Sequence, residues 1–231
     1  MWRAPECIVR VVGGRSPAES AFLGTGMLVA PERVLTCNHV VREQDPWEGP
    51  TQVLIQNLWV ETAAGRRVAV CQPPRLAPDL DLALLQLAEP LAADVPPFLS
   101  GLTEALVPTL QVLPLKVFGY QAPGVRTGSL IRYSINKWLV WGSSPDRGDT
   151  LSDWQLAGGL WEGLSGSPVL VAWKRQWAYV GTVYLGGTRS GTSRVIPADP
   201  VREFLAQQGL RNLPMIEATR LRARSARGLW W

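Results

Sequence analysis

A single imidazole limits the acid–base chemistry open to this chain of 231 residues. His39, in Val34-Leu35-Thr36-Cys37-Asn38-His39-Val40-Val41, is its only histidine. Histidine is the side chain that accepts and returns a proton near neutral pH without special tuning. Two further signals follow it in chain order: Asp81 opens Asp81-Leu82-Ala83-Leu84-Leu85, and Ser165 lies in Gly163-Leu164-Ser165-Gly166-Ser167-Pro168. A serine hydroxyl becomes a useful nucleophile only when a base within hydrogen-bond reach takes its proton. A buried carboxylate must then fix the tautomer of that base and stabilise the imidazolium. Ser165, His39 and Asp81 supply those roles once each. Taken singly, each has a plainer reading: a structural histidine among apolar neighbours, an aspartate capping a strand entry, a serine in a glycine turn. Asp79 competes with Asp81, because residues two apart share one face of an extended segment.

The order His, Asp, Ser and the three local sequences resemble the chymotrypsin/trypsin-like serine proteases, in particular the leader-less trypsin-like peptidase domains of bacteria. The resemblance implies a serine endopeptidase working through an acyl-enzyme, with His39, Asp81 and Ser165 as the triad. It selects Asp81 over Asp79 because Asp-Leu-Ala-Leu-Leu is how the family motif reads. It also implies that the backbone N–H groups of Gly163 and Ser165 form the oxyanion hole. Glycine at 163 and 166 makes independent sense where a turn needs unusual dihedrals and close substrate approach. For substrate binding, the resemblance points to Gly159 beside the primary pocket and to Tyr184, Leu185 and Gly186 as the strand edge that pairs with an extended peptide. Glu162 is a nearby acid that would bias the site, its plainer reading being an exposed charge.

The chain departs from the family in four places. Gly159 stands where members that cut after Lys or Arg carry an acid. Tyr184 replaces a serine that helps hold the triad aspartate, and Val40 replaces a disulfide-bonded cysteine. Leu164 replaces the aspartate that pairs with a newly freed N-terminal amine in trypsin-type zymogens. An ammonium buried against leucine would be costly. Activation by cleavage before Val11-Val12-Gly13-Gly14 is therefore rejected, and residues 8–12 read as a first strand.

Positioning such a triad requires a rigid frame. Short β-rich runs fill the chain at 8–12, 26–30, 53–56, 68–71, 82–87, 115–120, 129–135, 137–141, 169–173 and 177–185. Strands at this spacing, broken by 22 glycines and 19 prolines, read as an all-β protein. With the resemblance, the expected fold is two antiparallel six-stranded β-barrels with a short C-terminal helix. The expected division is an N-terminal barrel at 1–95, a connection at 96–109, a second barrel with its closing helix at 110–209, and a basic tail at 210–231. Asp199 as N-cap, Pro200 in the first turn and Gly209 as a stop predict the helix over 201–208. Residues 174–176 read as a hairpin loop and 143–153 as a mobile Ser/Asp/Gly-rich loop. Eight of the eleven tryptophans lie from Trp138 onward; most fill the barrel, while Trp154 and Trp161 are candidates for lining the cleft.

Composition narrows the partners. The tail 210–231 has five arginines against Glu217, which accounts for the whole formal charge of +4, so the body is neutral and gives no sign of nucleic-acid binding. No apolar run has the length of a membrane span. One histidine and the scattered Cys7, Cys37 and Cys71 make no metal-ligand cluster, and no cofactor is expected. Three cysteines without a paired spacing, and no export signal, favour the reducing cytoplasm. The expected partner is a protein or peptide substrate. By analogy with leader-less relatives, further domains or a regulatory protein of a signalling or antiviral defence system are also expected. The rival reading is a protease-fold binding module without turnover. A nucleophile-elbow hydrolase is disfavoured by Ser167, where that motif needs glycine.

Overall fold

The computed structural model describes residues 6–45, 49–92, 94–101, 115–120, 131–135, 139–143, 152–157, 163–173, 176–186 and 192–217. Runs rich in valine, leucine and isoleucine form the strands, since branched side chains pack well on a pleated surface. In the N-terminal half these are β1 (Ile8–Gly14), β2 (Ser20–Ala30), β3 (Arg33–Cys37), β4 (Arg42–Asp45), β5 (Gly49–Leu54), β6 (Leu58–Thr62), β7 (Arg67–Ala69), β8 (Arg75–Ala77) and β9 (Leu82–Gln86). One sheet runs β7-β6-β1-β2-β3-β9-β8, and β4 pairs with β5 beside it. A bridge between Val70 and Leu87 joins the ends of β7 and β9, closing six strands into a ring with β8 on its outside. Val9, Val11, Val34, Val60 and Leu85, all fully buried, fill its interior.

The second half contributes β10 (Phe98–Ser100), β11 (Leu115–Gly119), β12 (Ile131–Ile135), β13 (Leu139–Ser143), β14 (Ser152–Ala157), β15 (Pro168–Trp173), β16 (Gln176–Gly186) and β17 (Thr192–Pro197). They are followed by helix α1 (Ala198–Gln207) and β18 (Met215–Glu217). Their sheet runs β12-β11-β15-β16-β17-β14-β13, with β10 pairing β16 and β18 in parallel. The fold is thus all-β and chymotrypsin-like, with nine strands in the second sheet where six were expected. Phe98 of β10 packs on Tyr179 at 4.4 Å between ring centroids, and the chain stays against this sheet as far as Glu217.

Several elements differ from expectation for identifiable reasons. The strand expected at 53–56 is β5, which ends at Leu54; its Gly49-Pro50 start lacks strand-forming residues. Strands β3, β4, β6, β8, β10, β14, β17 and β18 lie outside the expected runs; in β3, β14 and β17 the charged Arg33, Asp153 and Arg194 weaken the apolar pattern. The loop expected at 143–153 starts and ends inside β13 and β14, and its middle lies outside the described residues. Residues 174 and 175 also lie outside them, while Trp173 faces Gln176 in the β15–β16 pair. Helix α1 begins at Ala198 with Pro197 as its N-cap, not at Asp199. Asp199 sits in the first turn, where its carboxylate favours the positive end of the helix dipole and takes a 3.2 Å bond from Arg202. Gly209 adopts φ +91° just past the helix, as a stop residue should.

Arg10 clasps the two halves. Its guanidinium lies 5.5 Å from both the Phe22 and Tyr120 rings and bonds Glu61 at 3.0 Å, while Arg67 meets Glu61 at 2.6 Å. Burial alone would raise the Glu61 pKa, but bonds and charge from Arg67 and Arg10 outweigh it and hold the carboxyl below its usual range. A carboxylate with a depressed folded-state pKa contributes stability above its unfolded pKa and loses it as pH falls through the folded value. Glu61→Gln should therefore lower unfolding free energy by about 1 kcal/mol at pH 7. The gap to wild type should close as pH falls through the carboxylate range in denaturant titrations.

Candidate active site

The register of β3 on β9 builds the first part of the site. Cys37 pairs with Leu82, and the ladder runs one step further through Asn38 N–H to Asp81 O at 2.9 Å. Just beyond, the chain turns through a short 3-10 segment, His39–Val41, whose Val40 and Val41 are buried. The Asn38 side-chain oxygen accepts from Arg42 Nε at 3.0 Å, and Arg42 Nη1 reaches Gln52 O at 2.7 Å, tethering the turn to β5. Residues 42 positions apart in sequence thereby face each other.

Asp81 gives both carboxylate oxygens to His39. Oδ1 accepts the His39 backbone N–H at 3.0 Å, and Oδ2 lies 2.7 Å from Nδ1. An ionised acceptor there requires the proton on Nδ1, which leaves Nε2 as the basic nitrogen. Asp81 is the one non-glycine with positive φ among the described residues, at φ 54° and ψ 38°. Aspartate tolerates this left-handed conformation better than most residues, and the bend turns its side chain out of the β9 alternation toward His39. Asp79 lies exposed in the preceding 3-10 turn; Asp81 is the carboxylate that meets the imidazole.

Ser165 comes from the second half, on the turn from Gly163 to Ser167 that leads into β15. Gly163 and Gly166 take φ +96° and +85°. A Cβ on Gly166 would collide with Thr25 O and lie 2.5 Å from Thr36 Oγ1, so glycine is required both for dihedral and for space. Thr25 N–H donates to Ser165 O at 2.9 Å, Thr25 Oγ1 donates to Gly163 O at 2.9 Å, and Ser167 N–H closes the turn on Leu164 O at 2.9 Å. The Gly163 and Ser165 N–H groups have no acceptor among the described residues. Ser165 is half-buried, and among the described residues no hydrogen bond joins its hydroxyl to His39.

Two features near this centre carry no functional mark in the sequence. Cys37 is fully buried, its thiol donates to Val183 O at 3.2 Å, and its sulfur lies within 4.8 Å of the nearest donor atoms of His39 and Asp81. Burial, then the Asp81 charge, push its pKa up, while the Gly166 N–H opposes them. The trio does not suit a metal, because ring nitrogen and carboxylate oxygen are 2.7 Å apart, where two ligands on one zinc stand about 3.3 Å apart. Thr25 is the second feature, and only its place in space marks it. Tyr184, expected to stand where the family carries a serine, is buried in β16 with its hydroxyl 3.5 Å from Arg194 Nη1. Leu185 and Gly186 end the same strand, paired with Arg194 and Ser193. Trp154 stands in β14 opposite Val195; Gly159, Trp161 and Glu162 lie outside the described residues. β1 is paired on both edges, and Leu164 is fully buried.

Two barrel-like sheets with a histidine–aspartate pair on one and a serine turn on the other define a trypsin-like serine protease fold. Residues 24–181 match the family model of the trypsin-like peptidase domain, and the chain belongs to that family. Solved structures agree in fold. The active form of the Rv3671c protease from M. tuberculosis is 20% identical, with TM-score 0.60, covering 93% of this chain and 85% of that one. The serine endoprotease from Yersinia pestis is 16% identical, with TM-score 0.58, over 91% of this chain and 65% of its own. The HtrA-type protease AlgW with a decapeptide is 15% identical, with TM-score 0.61, over 88% of this chain and 64% of its own. No curated protein matches the chain. Among the described residues, no helix is long and apolar enough to cross a membrane.

The thiols offer a direct check of this geometry. Burial pushes the Cys7 pKa up to about 12 and raises that of Cys37, while Cys71 is exposed. Since the thiolate is the reactive form, iodoacetamide at about pH 8 should modify Cys71 alone in native protein, and all three thiols after denaturation, by mass spectrometry.

Proposed function

We propose that the chain is a serine endopeptidase that cleaves peptide bonds through an acyl-enzyme, with Ser165 as nucleophile, His39 as base and then acid, and Asp81 as orienting carboxylate. The observation that carries this reading is the two-point hold of Asp81 on His39, through backbone N–H and Nδ1, which leaves Nε2 basic. A purely structural aspartate has no need to engage both donors of the chain's only histidine.

The steps follow from these groups. His39 Nε2 takes the Ser165 hydroxyl proton as Oγ bonds to the scissile carbonyl carbon, and the carbonyl π pair moves onto oxygen. The N–H groups of Gly163 and Ser165, which have no acceptor among the described residues, receive that oxyanion. Such donors contribute roughly 10²–10³ in rate each. Collapse restores the carbonyl and breaks the C–N bond, and the imidazolium gives its proton to the leaving amine. Water, deprotonated by the same nitrogen, then hydrolyses the ester and returns Ser165. The missing Ser165–His39 bond is no obstacle, because such bonds are often long in free enzymes and tighten on substrate binding. The substrate lies extended along the edge at Tyr184, Leu185 and Gly186, with Gly159 and Glu162 beside its primary pocket. An intracellular module under the control of fused or partner domains is the setting that suits its free thiols.

Labelling with a fluorophosphonate probe is the test. Wild type should label and Ser165→Ala should not; a folded wild type that stays unlabelled would support the binding-module reading instead. Asp81→Asn should lower turnover by up to about 10⁴, the loss known for the corresponding change in chymotrypsin-type enzymes, with the fold intact by circular dichroism. Near-normal turnover in that variant would remove Asp81 from the mechanism.

A further inference from the structure

We infer that Thr25 is a positioning residue that holds the backbone of the nucleophile turn in the geometry needed for oxyanion binding; this rests on the endopeptidase reading. Thr25 belongs to β2 of the first sheet, yet most of its polar bonding is with the second half. Its N–H donates to Ser165 O at 2.9 Å, its hydroxyl donates to Gly163 O at 2.9 Å, and the same hydroxyl accepts from Tyr120 N–H at 2.9 Å. Its carbonyl accepts from Thr36 Oγ1 at 2.7 Å within the first sheet. The residue is fully buried, so water cannot replace these partners.

The two carbonyls that Thr25 holds bracket Leu164. An oxyanion hole requires the N–H groups of residues 163 and 165 to converge on one point, and the direction of each depends on how the neighbouring peptide planes are turned. Gly163, at φ +96°, is the residue with least resistance to turning, because glycine has access to both signs of φ. Anchoring its carbonyl through the Thr25 hydroxyl, and the Ser165 carbonyl through the Thr25 amide, opposes that rotation at both ends. The hydroxyl itself is well aimed. Threonine is stiff at χ1, and a Cβ on Gly119 would lie only 3.0 Å from Thr25 Oγ1, so the neighbouring backbone is packed closely around it.

Thr25→Val removes the hydroxyl at similar volume, and Thr25→Ser keeps it while losing the methyl. Second-order labelling rates with the fluorophosphonate probe should fall about 10²-fold in Thr25→Val, the scale of a small misplacement at a reacting centre, and stay near wild type in Thr25→Ser. The shape of the pH–rate profile should not change, since the His39–Asp81 pair is untouched. Should Thr25→Val fail to fold, Thr25→Ala against Thr25→Ser makes the same comparison. The inference is overturned if the hydroxyl-free variant labels as fast as wild type, or if the serine variant loses as much as the hydroxyl-free one. A wild type that does not label overturns the endopeptidase reading and this inference with it.

Discussion

The pairing of β3 with β9 is the constraint on which the site depends. Cys37 opposite Leu82, extended by the Asn38–Asp81 bond, brings the end of one strand against the start of the other. A strand slip of one residue would turn every side chain of β9 to the opposite face. Both faces of β9 are buried, and a slip would place Ala83 where a leucine now packs and a leucine where Ala83 fits, so close packing fixes where Asp81 stands relative to His39. Packing energy, generic in origin, is thereby converted into a specific polar geometry.

Ser165 obeys a different constraint. His39 and Asp81 belong to one sheet and share its register, whereas Ser165 reaches them across the seam between the halves. Away from the Arg10 clasp, first-sheet residues hold that seam at the serine turn: Thr25 and Thr36 against Gly163–Gly166, and Cys37 against Val183. The Val183 carbonyl takes both the Cys37 thiol and the Gly166 N–H, and its own N–H donates to Ser167 O at 2.9 Å. One residue of β16 thus joins the strand that leads to the histidine and the turn that carries the serine. The histidine–aspartate contact can form within a single sheet, but the distance from serine to histidine depends on how the two halves close.

The residue types at the site are legible in the sequence because they are chemically scarce. One histidine, an aspartate at a strand entry and a serine between glycines need no long-range information to be noticed. The choice of Asp81 over Asp79 rests, in the sequence, on resemblance; its geometric basis is a left-handed bend that no periodicity announces. Strand β3 escapes the pattern even though it leads into the histidine turn, since an arginine opens it and a turn follows within five residues. Thr25 and Cys37 are invisible in their seam roles for a simple reason. Their partners are 138 and 146 residues away, and nothing local marks a buried threonine or cysteine as a bridge. The residue types carry the chemistry in plain sight; the contacts that align them are non-local.

The turn that carries His39 is restrained from two sides. Asp81 commits both carboxylate oxygens to His39. The Asp81 orientation is then only as firm as the turn at 38–41 that it grips. That turn is held on its other side too, since the His39 carbonyl accepts from Gln44 Nε2 at 2.8 Å. Arg42 supplies the stronger restraint, a buried guanidinium whose partners are Asn38 Oδ1 and the carbonyls of Thr51 and Gln52. A buried cation costs free energy unless its donors are met, so any shift of the turn that breaks these bonds leaves that cost uncompensated. The His39 peptide is therefore fixed from the Arg42 side and the Asp81 side at once. The apolar register of β3 on β9 and the polar anchoring of the 38–41 turn thus bear on the same contact between Asp81 and His39.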